Sequence, residues 1–287
     1  RLQALDNGRT FRPTVLEGRA PRHVAWSGGG RTTWMSDIPR DLTVDAVYFI
    51  QAKYDSTCLL STAPATLVDD LLRDEGGGTR PSWFAEVAPR ELDAYYRAVR
   101  RHTNLEGLPR RVEDLDQAQR RQLKSTLRAS GEDPTCAATY HELCRAVSEQ
   151  TVRRWRRHLQ AASAAQRTQM LFRMLRIAGG PYWLLGTKGT ESLRLAVTDT
   201  RSWRERFELR RVEVADAMAG QPQLNWRAEV ASAVTGERRE VAGYCEIRWA
   251  HGKLQGNPEC KVHVTTPLAE VPGYRPLDKS LDPLDVT

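Results

Sequence analysis

Val47-Tyr48-Phe49-Ile50 is a run of β-branched and aromatic side chains that ends in a polar pair, Gln51 and Lys53, and this junction constrains the fold more than any other stretch. The run reads as a buried strand. Successive side chains on a strand point to opposite faces, so Gln51 and Lys53 share one. An ammonium at the buried end of an apolar strand is costly unless an anion accompanies it. Asp37, Asp41 and Asp45 lie just upstream, close enough for one of them to return beside the lysine across a tight strand pair. A carboxylate, an amide oxygen and a lysine then converge. Carboxylate and neutral carbonyl oxygens suit a hard cation such as Mg²⁺ or Mn²⁺, which keeps several waters and contacts substrate phosphate. With the lysine orienting or helping to deprotonate a water, the set is equipped for metal-assisted phosphodiester hydrolysis.

The pattern Asp…Gln51-x-Lys53 resembles the PD-(D/E)xK nuclease superfamily, the restriction-endonuclease-like fold, in the variant where glutamine replaces the second acid. The resemblance covers about positions 28 to 60. It implies a nuclease core over residues 1–110 of a mixed α/β protein, and apolar spacing reads the rest as a helical segment over 111–178 and an antiparallel β-rich part over 179–287. It also implies a Mg²⁺- or Mn²⁺-dependent endonuclease acting on double-stranded DNA, with a role in restriction or antiphage defence. Asp41 is the preferred metal-binding acid, because Leu42-Thr43-Val44 reads as a strand that it opens. Asp37 and Asp45 remain alternatives, Gln51 is the second ligand, and Lys53 positions the nucleophile. A double-strand break would call for a homodimer, since one such centre cuts one strand.

A net charge of +7, most of the basic part arginine, favours polyanionic partners. The five cysteines are odd in number and show no Cys-x-x-Cys pairing, which argues against a secreted disulfide framework or a zinc site and for a cytoplasmic setting. No apolar run approaches the roughly 18 residues of a membrane span, so no membrane association is expected.

Beyond Lys53, apolar spacings of three and four predict helices after Pro64 and after Pro89, and over 114–127, 140–159 and 164–177. Ser163 and Gln166 fit a capping box. The 140–159 helix carries Arg153, Arg154, Arg156 and Arg157 around Trp155. These four arginines read either as a stripe against DNA phosphates or as a solvated face with Trp155 packed inward. Gly179-Gly180-Pro181 ends the helices, and six strands follow between 182 and 265, forming either a second domain or an extension of the first sheet.

A rival constellation lies in that last part. Glu259-x-Lys261 has the literal Glu-x-Lys form, and Glu246 precedes it on the expected hairpin partner, so Glu246, Glu259 and Lys261 form an alternative catalytic set. A DNA-contact role for Arg248, His251 and Lys253 beside them is as good a reading as the catalytic one, and an ordinary exposed hairpin is favoured over both. The main non-enzymatic alternative is a nucleic-acid- or partner-binding module with a degenerate nuclease core, glutamine having replaced an acid.

Overall fold

A computed structural model of the protein describes residues 24–26, 42–44, 48–54, 57–70, 81–129, 133–188 and 191–277. The strand that ends in Gln51 and Lys53 is present, Tyr48–Tyr54 (β3). It runs antiparallel to Leu42–Val44 (β2), which pairs with Val24–Trp26 (β1). On its other side β3 lies parallel to Tyr182–Lys188 (β5), with Gln51 opposite Leu184 and Lys53 opposite Gly186. Glu191–Val197 (β6) and later Tyr274–Pro276 (β11) complete this mixed sheet in the order β1-β2-β3-β5-β6-β11.

Parallel neighbours need a long crossover, and here the helices supply it. They are Trp83–Val87 (α1), Pro89–Thr103 (α2), Gln117–Ala129 (α3), Pro134–Ala161 (α4) and Ala164–Leu175 (α5). Pro89 opens α2, and Asn104 closes it in a left-handed conformation, φ 47°. Asp133 caps α4 through the amide of Cys136 at 2.7 Å, with Pro134 in the first turn where its missing N–H costs nothing. The capping box expected at Ser163 and Gln166 is formed on α5. After Pro64 the chain makes a short helical turn, Thr66–Asp70.

Thr200–Arg206 (α6) leads into a second sheet, a meander of Phe207–Met218 (β7), Pro222–Ser232 (β8), Arg238–Trp249 (β9) and Pro258–Val264 (β10). Its far edge is Cys58–Thr62 (β4), which follows β3 directly in the chain and pairs antiparallel with β10. Strict alternation makes this sheet two-faced. Leu224, Trp226, Val241, Cys245, Ile247, Cys260 and Val262 point inward, while Glu246, Arg248, Glu259, Lys261 and His263 stand on the other face, half-buried. The helix α4, about 42 Å long at 1.5 Å per residue, packs against β7 and β8 with Trp155 fully buried.

The segment after 179 therefore does two things. Residues 182–197 and 274–276 extend the sheet that holds Gln51 and Lys53, and residues 207–264 build the second sheet around β4. One apolar core connects Leu59 and Leu60, the helices, and the inner residues of both sheets, so the boundaries drawn at 110 and 178 do not part the core.

Candidate functional site

Gln51 and Lys53 are both half-buried on the central strand of the mixed sheet, flanked by β2 and β5. The Lys53 ammonium donates to the Cys58 carbonyl at 2.8 Å, which ties the end of β3 to the start of β4 and fixes where the charge sits. Gly186 is required opposite it, because a Cβ there would overlap the Lys53 carbonyl. The Oε1 of Gln51 is buried and accepts no hydrogen bond among the described residues. A buried carbonyl oxygen without a donor costs about 1–3 kcal/mol. Asp37, Asp41 and Asp45 lie outside the described residues.

The rival constellation is assembled as the hairpin reading expects. Glu246 on β9 stands directly opposite Lys261 on β10, and Arg248 opposite Glu259. Its carboxylates are closed, however. Gln221 donates to Glu246 Oε1, and Arg248 Nε lies 3.6 Å from Oε2. Arg248 and Lys261 lie 3.4 and 3.6 Å from Glu259 Oε1, and the Ser61 hydroxyl donates to Oε2 at 3.0 Å. All four carboxylate oxygens have partners, and two cations match two acids. Among the described residues, no three His, Cys, Asp or Glu side chains converge to hold a metal ion.

Sequence reading missed His263. Its Nδ1 shares a hydrogen bond of 3.0 Å with the Thr57 hydroxyl, its ring stacks on Tyr244 with centroids 4.4 Å apart, and its Nε2 is buried without a hydrogen-bond partner among the described residues. Burial holds the imidazole below its ordinary pKa; Glu246 opposes this, and Lys261, Arg248 and Lys53 add to it. That Lys53 and Lys261 both act on His263, and both lower the Cys58 thiol against the larger upward push of burial, sets the two rival constellations side by side. Period two was the available signal: Glu259, Lys261 and His263 alternate on one strand face.

The four arginines of α4 are divided. Arg154 is drawn into a buried clamp: its fork holds both oxygens of Asp69 at 2.8 and 2.6 Å, it pairs with Glu86 at 2.7 Å, and it lies over the Trp83 ring. Asp69 is 1% exposed and also meets His158 at 3.2 Å. Arg153, Arg156 and Arg157 are exposed, with Arg153 beside Glu149 and Arg156 donating to the Val214 carbonyl at 2.9 Å. Of the other proposed DNA contacts, Lys253 sits over the Tyr140 ring at 3.9 Å, Arg248 belongs to the carboxylate network, and His251 is exposed.

The fold is thus of mixed α/β class, with a polar site at the joint of two sheets. No protein-family model matches the chain, and no curated protein or solved structure matches it either. Among the described residues no helix is long and apolar enough to cross a membrane.

Proposed function

We propose that the protein is a divalent-cation-dependent endonuclease that hydrolyses phosphodiester bonds in double-stranded DNA, with Asp41, Gln51 and Lys53 at its centre. The observation that carries this reading is the Oε1 of Gln51, buried and unpartnered among the described residues, beside the fixed ammonium of Lys53 on a central strand. A neutral oxygen left without a donor fits a hard cation of the Mg²⁺ or Mn²⁺ type, which takes oxygen ligands. Asp41 is the preferred companion acid because it immediately precedes, in the chain, the strand Leu42–Val44 that pairs antiparallel with β3. Asp37 and Asp45 stay as alternatives.

The bound cation would polarise the scissile phosphate and lower the pKa of a water. Lys53 orients the attacking water by a hydrogen bond, and its charge offsets the negative charge that builds on the phosphoryl oxygens. The water oxygen forms the new bond to phosphorus as the bond to the leaving sugar oxygen breaks; the water's proton passes to solvent and the leaving oxygen takes one from it. The closed carboxylates of Glu246 and Glu259 favour Lys53 over Lys261 as the lysine of the centre.

The test is plasmid cleavage. An active enzyme degrades plasmid with Mg²⁺ or Mn²⁺ and stops when a chelator is added. Retardation of DNA equally with and without metal, and no cleavage in either, would instead establish the binding module. Linearisation without a nicked intermediate by a sedimenting dimer supports a paired centre.

A further inference from the structure

Along the outer edge of β7 runs a groove of about 740 Å³, bounded on its other side by α4 and α5. Five arginines line it, Arg156, Arg167, Arg210, Arg211 and Arg227, against the single acid Glu213. Two of them hold neutral partners. Arg156 donates to the Val214 carbonyl, and Arg167 donates to the carbonyls of Leu159 and Ala162 at 3.2 and 2.6 Å, so both guanidinium groups are positioned without being neutralised. The other three meet acids only on the exposed surface: Arg210 with Glu208 at 3.0 Å, Arg211 with Glu213 at 3.0 Å, and Arg227 with Glu240 at 3.8 Å. Exposed pairs of this kind are worth at most about 1 kcal/mol and exchange readily for another anion. A register shift lies between Leu209 and Arg211, where Arg210 and Arg211 line the groove.

We infer that this groove is a binding surface for the phosphate backbone of a nucleic-acid duplex. Arginine forks match phosphate oxygens. No aromatic ring is among the described residues that line the groove, which favours a duplex backbone over stacked single-stranded bases as its ligand. A polypeptide adding a strand to the β7 edge would meet the Val214 carbonyl already taken by Arg156. The inference rests on the nuclease reading for the choice of DNA as the polyanion, and it assigns substrate holding to Arg156 of the α4 stripe together with four arginines outside it.

The experiment measures binding of a short labelled DNA duplex to the full chain in chelator, across a salt series. Arg210→Gln/Arg211→Gln/Arg227→Gln should weaken binding at least about tenfold and reduce the salt slope by about 2.7, three contacts at roughly 0.9 each. The matched control Arg97→Gln/Arg100→Gln/Arg101→Gln removes the same charge from another exposed basic surface and should change the slope by less than one contact. Equal effects of the two triples, or an unchanged slope in the groove variant, overturn the inference. If the triple fails to fold, Arg227→Gln alone, with its side chain 66% exposed, should lower the slope by about 0.9, and no change overturns it. Displacement of the duplex by poly-glutamate at lower concentration than by unlabelled duplex also overturns it. Failure of the parent protein to cleave plasmid with Mg²⁺ would count against the nuclease reading and leave these binding outcomes readable.

Discussion

Lys53 and Lys261 look alike in sequence, each on a strand two residues after an amide or acid that has a carboxylate upstream, yet their surroundings differ in kind. Around Lys261, every carboxylate oxygen of Glu246 and Glu259 is matched by Arg248, Lys261, Ser61 or Gln221. Around Lys53, the ammonium is fixed by the Cys58 carbonyl while the neighbouring Gln51 oxygen is buried and accepts nothing from the described residues. A closed network has already used its lone pairs on the protein. An orphaned acceptor has its lone pairs left for something else, and the cost of leaving it so is tolerated where a ligand repays it.

The largest test of this contrast is the lysine pair itself. Lys53→Ala should lower the plasmid cleavage rate by about 10²–10⁴-fold, the usual worth of a group that assists proton movement, with circular dichroism and DNA binding retained. Lys261→Ala should leave cleavage within a few-fold of the parent. Reversal of that pattern in folded proteins would move the centre to Glu246, Glu259 and Lys261.

Next comes the backbone that sets Lys53 in place. Gly186→Ala puts a methyl group into the Lys53 carbonyl, so β3 and β5 must separate. A loss of about 3 kcal/mol or more in chemical denaturation is expected. A thermally normal Gly186→Ala protein would show that the parallel pair is not as close as described.

His263, which adjoins both lysines, supplies a pH test. Its folded pKa lies below the ordinary 6.5, so below pH 6.5 the unfolded chain takes up a proton that the folded one refuses. The stability contribution is complete above about 6.5 and is lost as the pH falls through the lowered folded pKa, with a slope of at most about 1.4 kcal/mol per pH unit. Denaturation midpoints should therefore fall more steeply below pH 6.5 in the parent than in His263→Gln, and parallel curves would refute the burial of this ring.

The smallest expected effect is on the closed network. Arg248→Ala removes the cation shared by Glu246 and Glu259, but the site is partly solvated, so a loss near 1 kcal/mol is expected, with cleavage unchanged. A large drop in cleavage without loss of stability would erase the distinction between the two regions.

Much of the local structure was legible. The helices over 140–159 and 164–177 appear as α4 and α5, Trp155 points inward, and Ser163 and Gln166 form their box, because three-and-four spacing and capping are properties of short windows. The six strands expected between 182 and 265 are present, and Glu246 lies on the hairpin partner of Glu259 and Lys261 as expected. What alternation could not tell was whether those charges would satisfy one another. Nor could the cluster Arg153 to Arg157 reveal that Arg154 would be claimed by Asp69, 85 residues away.

Short stretches of sequence set the kinds of element, the placement of Gln51 and Lys53 on one face of a strand, and a net charge of +7. Tertiary structure alone decided that β3 lies parallel to β5 more than a hundred residues later, and that β4 closes the second sheet against β10. It also decided that Arg156, Arg167, Arg210, Arg211 and Arg227 meet in one groove. Local patterns set which face of an element is apolar, since that depends on neighbours three or two residues apart. Which charge finds which partner depends on distances across the folded chain, where the desolvation cost of each buried ion selects the few arrangements that repay it.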